Sequence, residues 1–232
     1  MATTQLPGTV QAAGTGLKGF DTNTVITLAL AQQFKASGYA FCIRYLSRGA
    51  GQSSNDLSNK EATNILNGGL ALSAVQHVAA NYPPGWSPTA ALGTTYGTNA
   101  ASNAASTGLP TGMNLWCDLE GVVPTAADDD VIGYCQAWYA AVAAAGYVPG
   151  LYVGANCILT GDQLYNNLSF QHYWKSLSKV PAIPNRGYQM VQGGSVTVNG
   201  IGIDPDTTQT DSKGGTVLWL QPGNFSGGNV AV

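Results

Sequence analysis

The chain of 232 residues can form one large domain, a size that α/β barrels commonly reach. Only 9% of its residues are charged and the formal net charge is −3, with three arginines, Arg44, Arg48 and Arg186. That balance excludes a basic stripe for nucleic acid and a polybasic membrane anchor, and it leaves a surface of Ser, Thr, Asn, Gln and Gly suited to neutral polar partners such as sugars.

In chain order, the N-terminal MATTQLPGTVQAAGTG has no basic or apolar stretch of the kind a secretion signal needs. Residues 1–16 are therefore expected to be an extension, followed by a single domain over 17–232. Leu17 to Asp21 reads as a short strand ending in an acid, and Thr24 to Ala36 has helical spacing stopped by Gly38. Tyr39 to Leu46 is the next strand, carrying Arg44 near its end. Ser58-Asn59-Lys60-Glu61 has the form of a capping box for a helix over Ser58 to Leu66.

Leu70 to Val78 reads as a strand bearing Gln76 and His77, followed by a loop containing Pro83-Pro84-Gly85-Trp86. Leu92 to Ser106 is expected to be a helix of small residues, weakened by its glycines. Met113 to Leu119 is apolar enough for a buried strand, and Asp128-Asp129-Asp130 then opens a helix to Ala145, the acids serving as cap and dipole partners. Shorter parts follow: strands over Val148 to Val153, Tyr173 to Leu177, Tyr188 to Gln192, Gly200 to Asp204 and Val217 to Leu220, with a short helix over Asp162 to Leu168. About eight strands in βα order, at roughly 29 residues per unit, predict an α/β fold, a single TIM-like (β/α)8 barrel.

The chain has only two glutamates. Glu61 has a capping role to fill, which makes Glu120, in Leu115-Trp116-Cys117-Asp118-Leu119-Glu120-Gly121, the unusual one. Side chains two apart on a strand share a face, which sets Asp118 and Glu120 roughly 7 Å apart at the backbone. Asp21, Asp118, Glu120 and Asp204 all fall at the carboxyl ends of predicted strands, where barrels gather their catalytic groups. Arg44, Gln76, Tyr152, Trp174, Gln189 and Gln192 end or line neighbouring strands and are the candidate substrate-binding residues, Trp174 as a stacking platform for a sugar ring. His77 and His172 read as satisfied or surface residues. Cys42, Cys117, Cys135 and Cys157 lack metal-ligand spacing, so no metal and no cofactor is expected. No run approaches the roughly 18 apolar residues of a membrane span, and a monomer is the default assembly.

The motifs GFDTN, RYLS, LWCDLEG, AAGYVPGLYVGAN and GIDPD, in this order from about Gly19 to Asp206, resemble the glycoside-hydrolase-like family catalogued as domain of unknown function 1906. That family is similar in turn to the glycoside hydrolase family 25 lysozymes. The resemblance implies a bacterial or phage-type, secreted or cell-wall-associated protein acting on peptidoglycan or a related N-acetylated glycan. By motif position Asp21 matches the lysozymes' first-strand acid, Asp118 and Glu120 their Asp-x-Glu pair, and Asp204 their last-strand acid. Thr22-Asn23 replaces the usual Val-Ser type pair, and Asp206 stands as a rival to Asp204.

Together these readings imply a muramidase-like glycosidase. Glu120 would be the general acid with a raised pKa, and Asp118 an ionised partner that stabilises positive charge or orients an acetamido group. The alternative is a non-catalytic glycan-binding barrel. Phosphodiester cleavage on this fold wants paired histidines or a metal, which the two separated histidines do not supply.

Overall fold

A computed structural model describes residues 6–79 and 84–223. Pro83 of the Pro-Pro-Gly-Trp loop, residues 1–5 of the extension and residues 224–232 lie outside that range. The elements run β1 (Thr9–Ala12), β2 (Lys18–Asp21), α1 (Leu28–Ala36), β3 (Phe41–Leu46), α2 (Asn59–Asn67), β4 (Ala71–Gln76), α3 (Ala90–Thr107) and β5 (Asn114–Leu119). They continue with α4 (Asp128–Ala144), β6 (Val148–Val153), α5 (Gly161–Asn166), β7 (His172–Lys175), β8 (Met190–Gln192), β9 (Val196–Val198), β10 (Ile201–Thr208) and β11 (Leu218–Gln221).

Strands β2 to β8 pair in chain order, all parallel, and β10 closes the ring antiparallel between β8 and β2. The result is a closed eight-stranded mixed barrel, so the all-parallel (β/α)8 expectation is corrected at its last strand. The cause is local. Val198 and Ile201 pair across Asn199-Gly200, whose φ values of 50° and 82° are those of the two-residue turn that Asn-Gly favours, and a hairpin can join only antiparallel strands. Five helices rather than eight surround the barrel among the described residues, all of them before β7.

Alternation along each strand sorts the core into two layers. Phe41, Ile43, Val75, Trp116, Trp174 and Met190 fill the interior, while Cys42, Leu72, Leu115, Cys117, Leu151 and Tyr173 face the helices. Gly150 makes room inside for Trp116: a β-carbon there would lie 2.4 Å from the indole ring. The β1–β11 ribbon, antiparallel and touching β4 through Leu220 and Leu72, closes the amino end, with Trp219 4.9 Å from Phe41 between ring centroids. Only the carboxyl end is left to open on solvent.

Several helix boundaries move for identifiable reasons. α1 starts at Leu28 rather than Thr24 because Thr22 Oγ1 accepts from Thr24 N and donates to Gly202 O, which holds that segment out of the helix; Thr27 then caps it through Leu30 N. Ser58 caps α2 through Glu61 N, but the Glu61 side chain does not return the bond as a capping box would, because it goes to Arg44 and Ile26 N instead. α4 is capped by no side chain: its N-cap is Ala127, and the three aspartates occupy the first turn, where they meet the helix dipole. Asp128 Oδ2 also accepts from Gln163 Nε2 at 2.7 Å. The glycines of α3, read as weakening it, are contact points instead. β-Carbons at Gly93 and Gly97 would lie 2.2 and 2.7 Å from Tyr134 O and Trp138 O of α4.

Candidate active site

The carboxyl ends of the strands form an open cleft of about 410 Å³ in which Asp21, Asp118, Glu120 and Asp204 all take part. A smaller recess of about 200 Å³ shares the last three of these acids and reaches down to Val75, Tyr152, Trp174 and Gln192. Asp21 ends β2 and stands opposite Asp204 of β10 in the antiparallel register, so the two share a face. Asp206, two residues on, shares that face one layer deeper, opposite Gly19 and Gln192. It is 1% exposed and accepts from Trp174 Nε1 at 2.8 Å. The cleft therefore presents Asp204, whose Oδ1 is bonded by Ser195 Oγ, while Asp206 is an internal acid.

Asp21 is held by a chain of hydrogen bonds. Tyr45 Oη donates to its Oδ1 at 3.0 Å and Gln192 Nε2 to its Oδ2 at 2.7 Å; Tyr152 Oη in turn donates to Gln192 Oε1 at 2.8 Å. Burial outweighs these bonds and pushes the Asp21 carboxyl up to about 6. Asp118 is more fully enclosed. Its Oδ1 has no hydrogen-bond partner among the described residues, and burial, then Glu120, then Asp21 raise its pKa well above the carboxylate range. Glu120 is raised as well, by partial burial first and by Asp204 second. The expectation that Asp118 stays ionised is thereby corrected: burial and its acidic neighbours shift it toward the protonated form, in the same direction as Glu120.

The backbone of Glu120 is clamped from two sides. Trp86 Nε1 donates to Glu120 O at 2.7 Å, Trp86 N to Gly121 O at 3.1 Å, and Gly121 N to Ala155 O at 2.8 Å. Gly154 lies against the side chain, since a β-carbon there would fall 2.6 Å from Glu120 Oε2.

Strand parity decides the fate of the other candidates. Arg44 points outward and is fully buried; its Nε donates to Glu61 Oε1 at 2.6 Å, and its other nitrogens donate to Thr22 O and Asn55 O. Gln76 also faces the helices, donating to Tyr96 O at 2.8 Å and accepting from Trp138 Nε1 at 2.8 Å. Gln189 is fully buried and bonded to Tyr173 N, Gln171 O and Asp211. These three hold the fold together and do not reach the cleft, which corrects their reading as substrate contacts.

Tyr152 and Gln192 do face inward. Trp174 does too, but at 1% exposure, with Tyr152 and Trp116 packed edge-on at 4.5 and 5.9 Å, it has no free face for a sugar and is corrected from platform to floor. Residues passed over as candidates take its place. Tyr45, one position after Arg44 and so of opposite parity, lines the cleft. His77, read as a bland residue, lines it too, stacked on Tyr45 at 4.5 Å with its Nε2 2.7 Å from Asp56 Oδ1. Period-two counting from Ile43 would have found Tyr45. His172 begins β7 at the opposite end of the barrel.

Among the described residues no three His, Cys, Asp or Glu side chains are grouped as metal ligands, and no helix is long and apolar enough to cross a membrane.

A closed barrel with acids gathered at the carboxyl ends of its strands defines a glycoside-hydrolase-like protein. The chain belongs to the family described as the Rv2525c-like, glycoside hydrolase-like domain, whose model matches residues 32–208. Among solved structures it is similar to the Tat-secreted protein Rv2525c of Mycobacterium tuberculosis, crystallised with L-tartrate, at 18% identity and a TM-score of 0.66 over 85% of this chain and 97% of that one. It is also similar to the bacterial lysozyme of Streptomyces coelicolor, at 17% identity and a TM-score of 0.57 over 84% and 93%. A family 25 glycosyl hydrolase of Bacillus anthracis gives 15% and 0.58 over 89% and 94%. No curated protein sequence matches the chain. The fold thus resembles that of lysozymes and endolysins.

Proposed function

We propose that the protein is a secreted or cell-wall-associated glycosidase that cleaves N-acetylated wall glycan of the peptidoglycan type. One observation carries this reading: Asp21, Asp118, Glu120 and Asp204 line a single sugar-sized cleft, and the half-exposed Glu120 is raised toward the protonated form that a general acid needs. The lysozyme, muramidase and endolysin names of the structural neighbours support the substrate class.

In this reading Glu120 delivers its proton to the leaving glycosidic oxygen. Asp118 has a buried oxygen with no partner among the described residues, the acceptor that an acetamido N–H of the substrate would meet. A donor arriving there favours the ionised form, so Asp118 gives up its proton to solvent in the open cleft as the sugar binds, and the charge left on it steadies the oxocarbenium-like or acetamido-assisted state. Asp21, gripped by Tyr45 and Gln192, and Asp204 hold the sugar or a water.

The test is digestion of peptidoglycan and chitin-type oligomers, with products read by mass spectrometry and binding measured separately. Glu120→Gln should keep fold and affinity while turnover falls at least about a hundredfold, and Asp118→Asn should be comparably severe. Wild type that binds these glycans but releases no fragment between about pH 4 and 8 would be a binding barrel, and the hydrolase reading would be lost.

A further inference from the structure

Asp21, Asp118 and Asp204 stand within β2, β5 and β10, where the ladder fixes which way each side chain points. Glu120 does not. β5 ends at Leu119, and Gly121 turns the chain away at a φ of 63°. The acid whose proton has to reach the leaving oxygen is thus the one that no strand orients, and its direction has to come from elsewhere.

It comes from Trp86, on the loop after β4. The indole Nε1 donates to Glu120 O at 2.7 Å, Trp86 N donates to Gly121 O at 3.1 Å, and Trp86 O accepts from Val123 N at 2.9 Å. Side chain and main chain of one residue therefore grip the successive peptides that follow the acid. Gly85 permits the approach, because a β-carbon there would lie 2.6 Å from Gly121 O. Trp86 is itself held fast: it is 7% exposed and packs edge-on against Tyr134 of α4, with 4.9 Å between ring centroids. On the other side Gly154 lies so close that a β-carbon there would fall 2.5 Å from that of Glu120. A part-buried carbonyl deprived of its indole donor is left unsatisfied, so its peptide turns toward another partner and moves the carboxyl with it.

We propose that Trp86 is a positioning residue for Glu120: its indole N–H, standing in for a ladder bond, aims the carboxyl into the cleft. The proposal rests on the reading of Glu120 as proton donor and adds the residue through which that donor is aimed.

The chain's two glutamates make the aiming visible without turnover. Glutamate labelled at its carboxyl carbon gives one resonance from Glu61, ion-paired to Arg44, and one from Glu120. Trp86→Phe keeps a ring but no N–H. It should shift the Glu120 resonance and bring its titration down toward the ordinary glutamate range as the carboxyl swings into solvent, with the Glu61 resonance unmoved. Benzothienylalanine in place of Trp86, which exchanges only the N–H for sulfur, should do the same with the packing on Tyr134 intact.

In the digestion assay Trp86→Phe should lower turnover about ten- to a hundredfold at unchanged affinity for chitin-type oligomers, since a misplacement of about 1 Å costs that much. Added to Glu120→Gln it should lower turnover no further, because it acts only through that carboxyl. A Glu120 resonance and titration that both replacements leave as in wild type overturn the proposal, and so does an independent, additive loss in the double variant. If Trp86→Phe does not fold, the benzothienylalanine protein decides. Wild type that digests nothing overturns the glycosidase reading alone; the Glu120 resonance then upholds or overturns the aiming by itself.

Discussion

Burying Asp206 beneath the mouth leaves its Oδ2 without a partner among the described residues, while its Oδ1 accepts from Trp174. Burial, then the adjacent Asp21 carboxylate, raises its pKa far above that of an exposed aspartate. Asp21, Asp118 and Glu120 move in the same direction. The sign follows from linkage. A folded-state pKa above the unfolded value adds stability that is full below the unfolded value and is lost as pH rises through the folded one. For Asp21 the window runs from 3.8 to about 6, and a shift of that size corresponds to about 3 kcal/mol. The melting temperature should therefore be higher near pH 4.5 than near pH 7.5, the reverse of a protein stabilised by paired carboxylates. Asp206→Asn, which imitates the protonated acid and keeps an acceptor for Trp174, should raise the melting temperature near pH 7.5 and flatten the profile. Calorimetric scans across this range check both; a wild-type profile that rises with pH would mean that the buried acids are ionised after all.

Two crossing helices show how elements set the site's frame. Gly93 and Gly97 let α3 lie on the backbone of α4, and α4 in turn supplies Trp138, whose indole is fixed by Gln76 at the end of β4. Gly93→Ala should cost about 2 to 4 kcal/mol, because a methyl group 2.2 Å from Tyr134 O forces the helices apart and no side-chain rotation relieves it. Urea denaturation measures this, and a loss below about 0.5 kcal/mol would show that the helices separate freely. The two glycines were visible in the sequence, but composition treats glycine as a helix breaker; only the partner helix turns it into a contact. The same distinction separates Arg44 from Tyr45. Both lie near the end of one strand, and the choice between them needs the inside-outside phase that Ile43 sets. The acids Asp21, Asp118, Glu120 and Asp204 were legible because an acid ending an apolar strand is locally conspicuous. The Arg44–Glu61 pair, the bond from Ile26 N to Glu61 thirty-five residues away and the His77–Asp56 pair were not, since each joins residues that only the closed barrel brings together.

At the scale of the whole molecule, alternation of strands and helices was enough to specify a barrel, but its closure depended on the Asn199-Gly200 hairpin, a signal of two residues within a longer rhythm. A ring closed between β10 and β2 joins the last barrel strand to the first, so neither half has a complete sheet without the other. The four cysteines fit such a molecule. Cys42, Cys117, Cys135 and Cys157 are all free and all buried, and burial raises each thiol above its ordinary pKa, which keeps it protonated and unreactive. Stability then comes from the packed core and not from a covalent staple. Thiol titration should find four groups in denaturant and essentially none in the native protein, with a melting temperature that reductant does not change. Limited proteolysis should cut exposed loops such as Gln52 to Asn55 without releasing a stable half. A drop in melting temperature on reduction, or two fragments that fold independently, would show that closure between β10 and β2 is not what holds the barrel together.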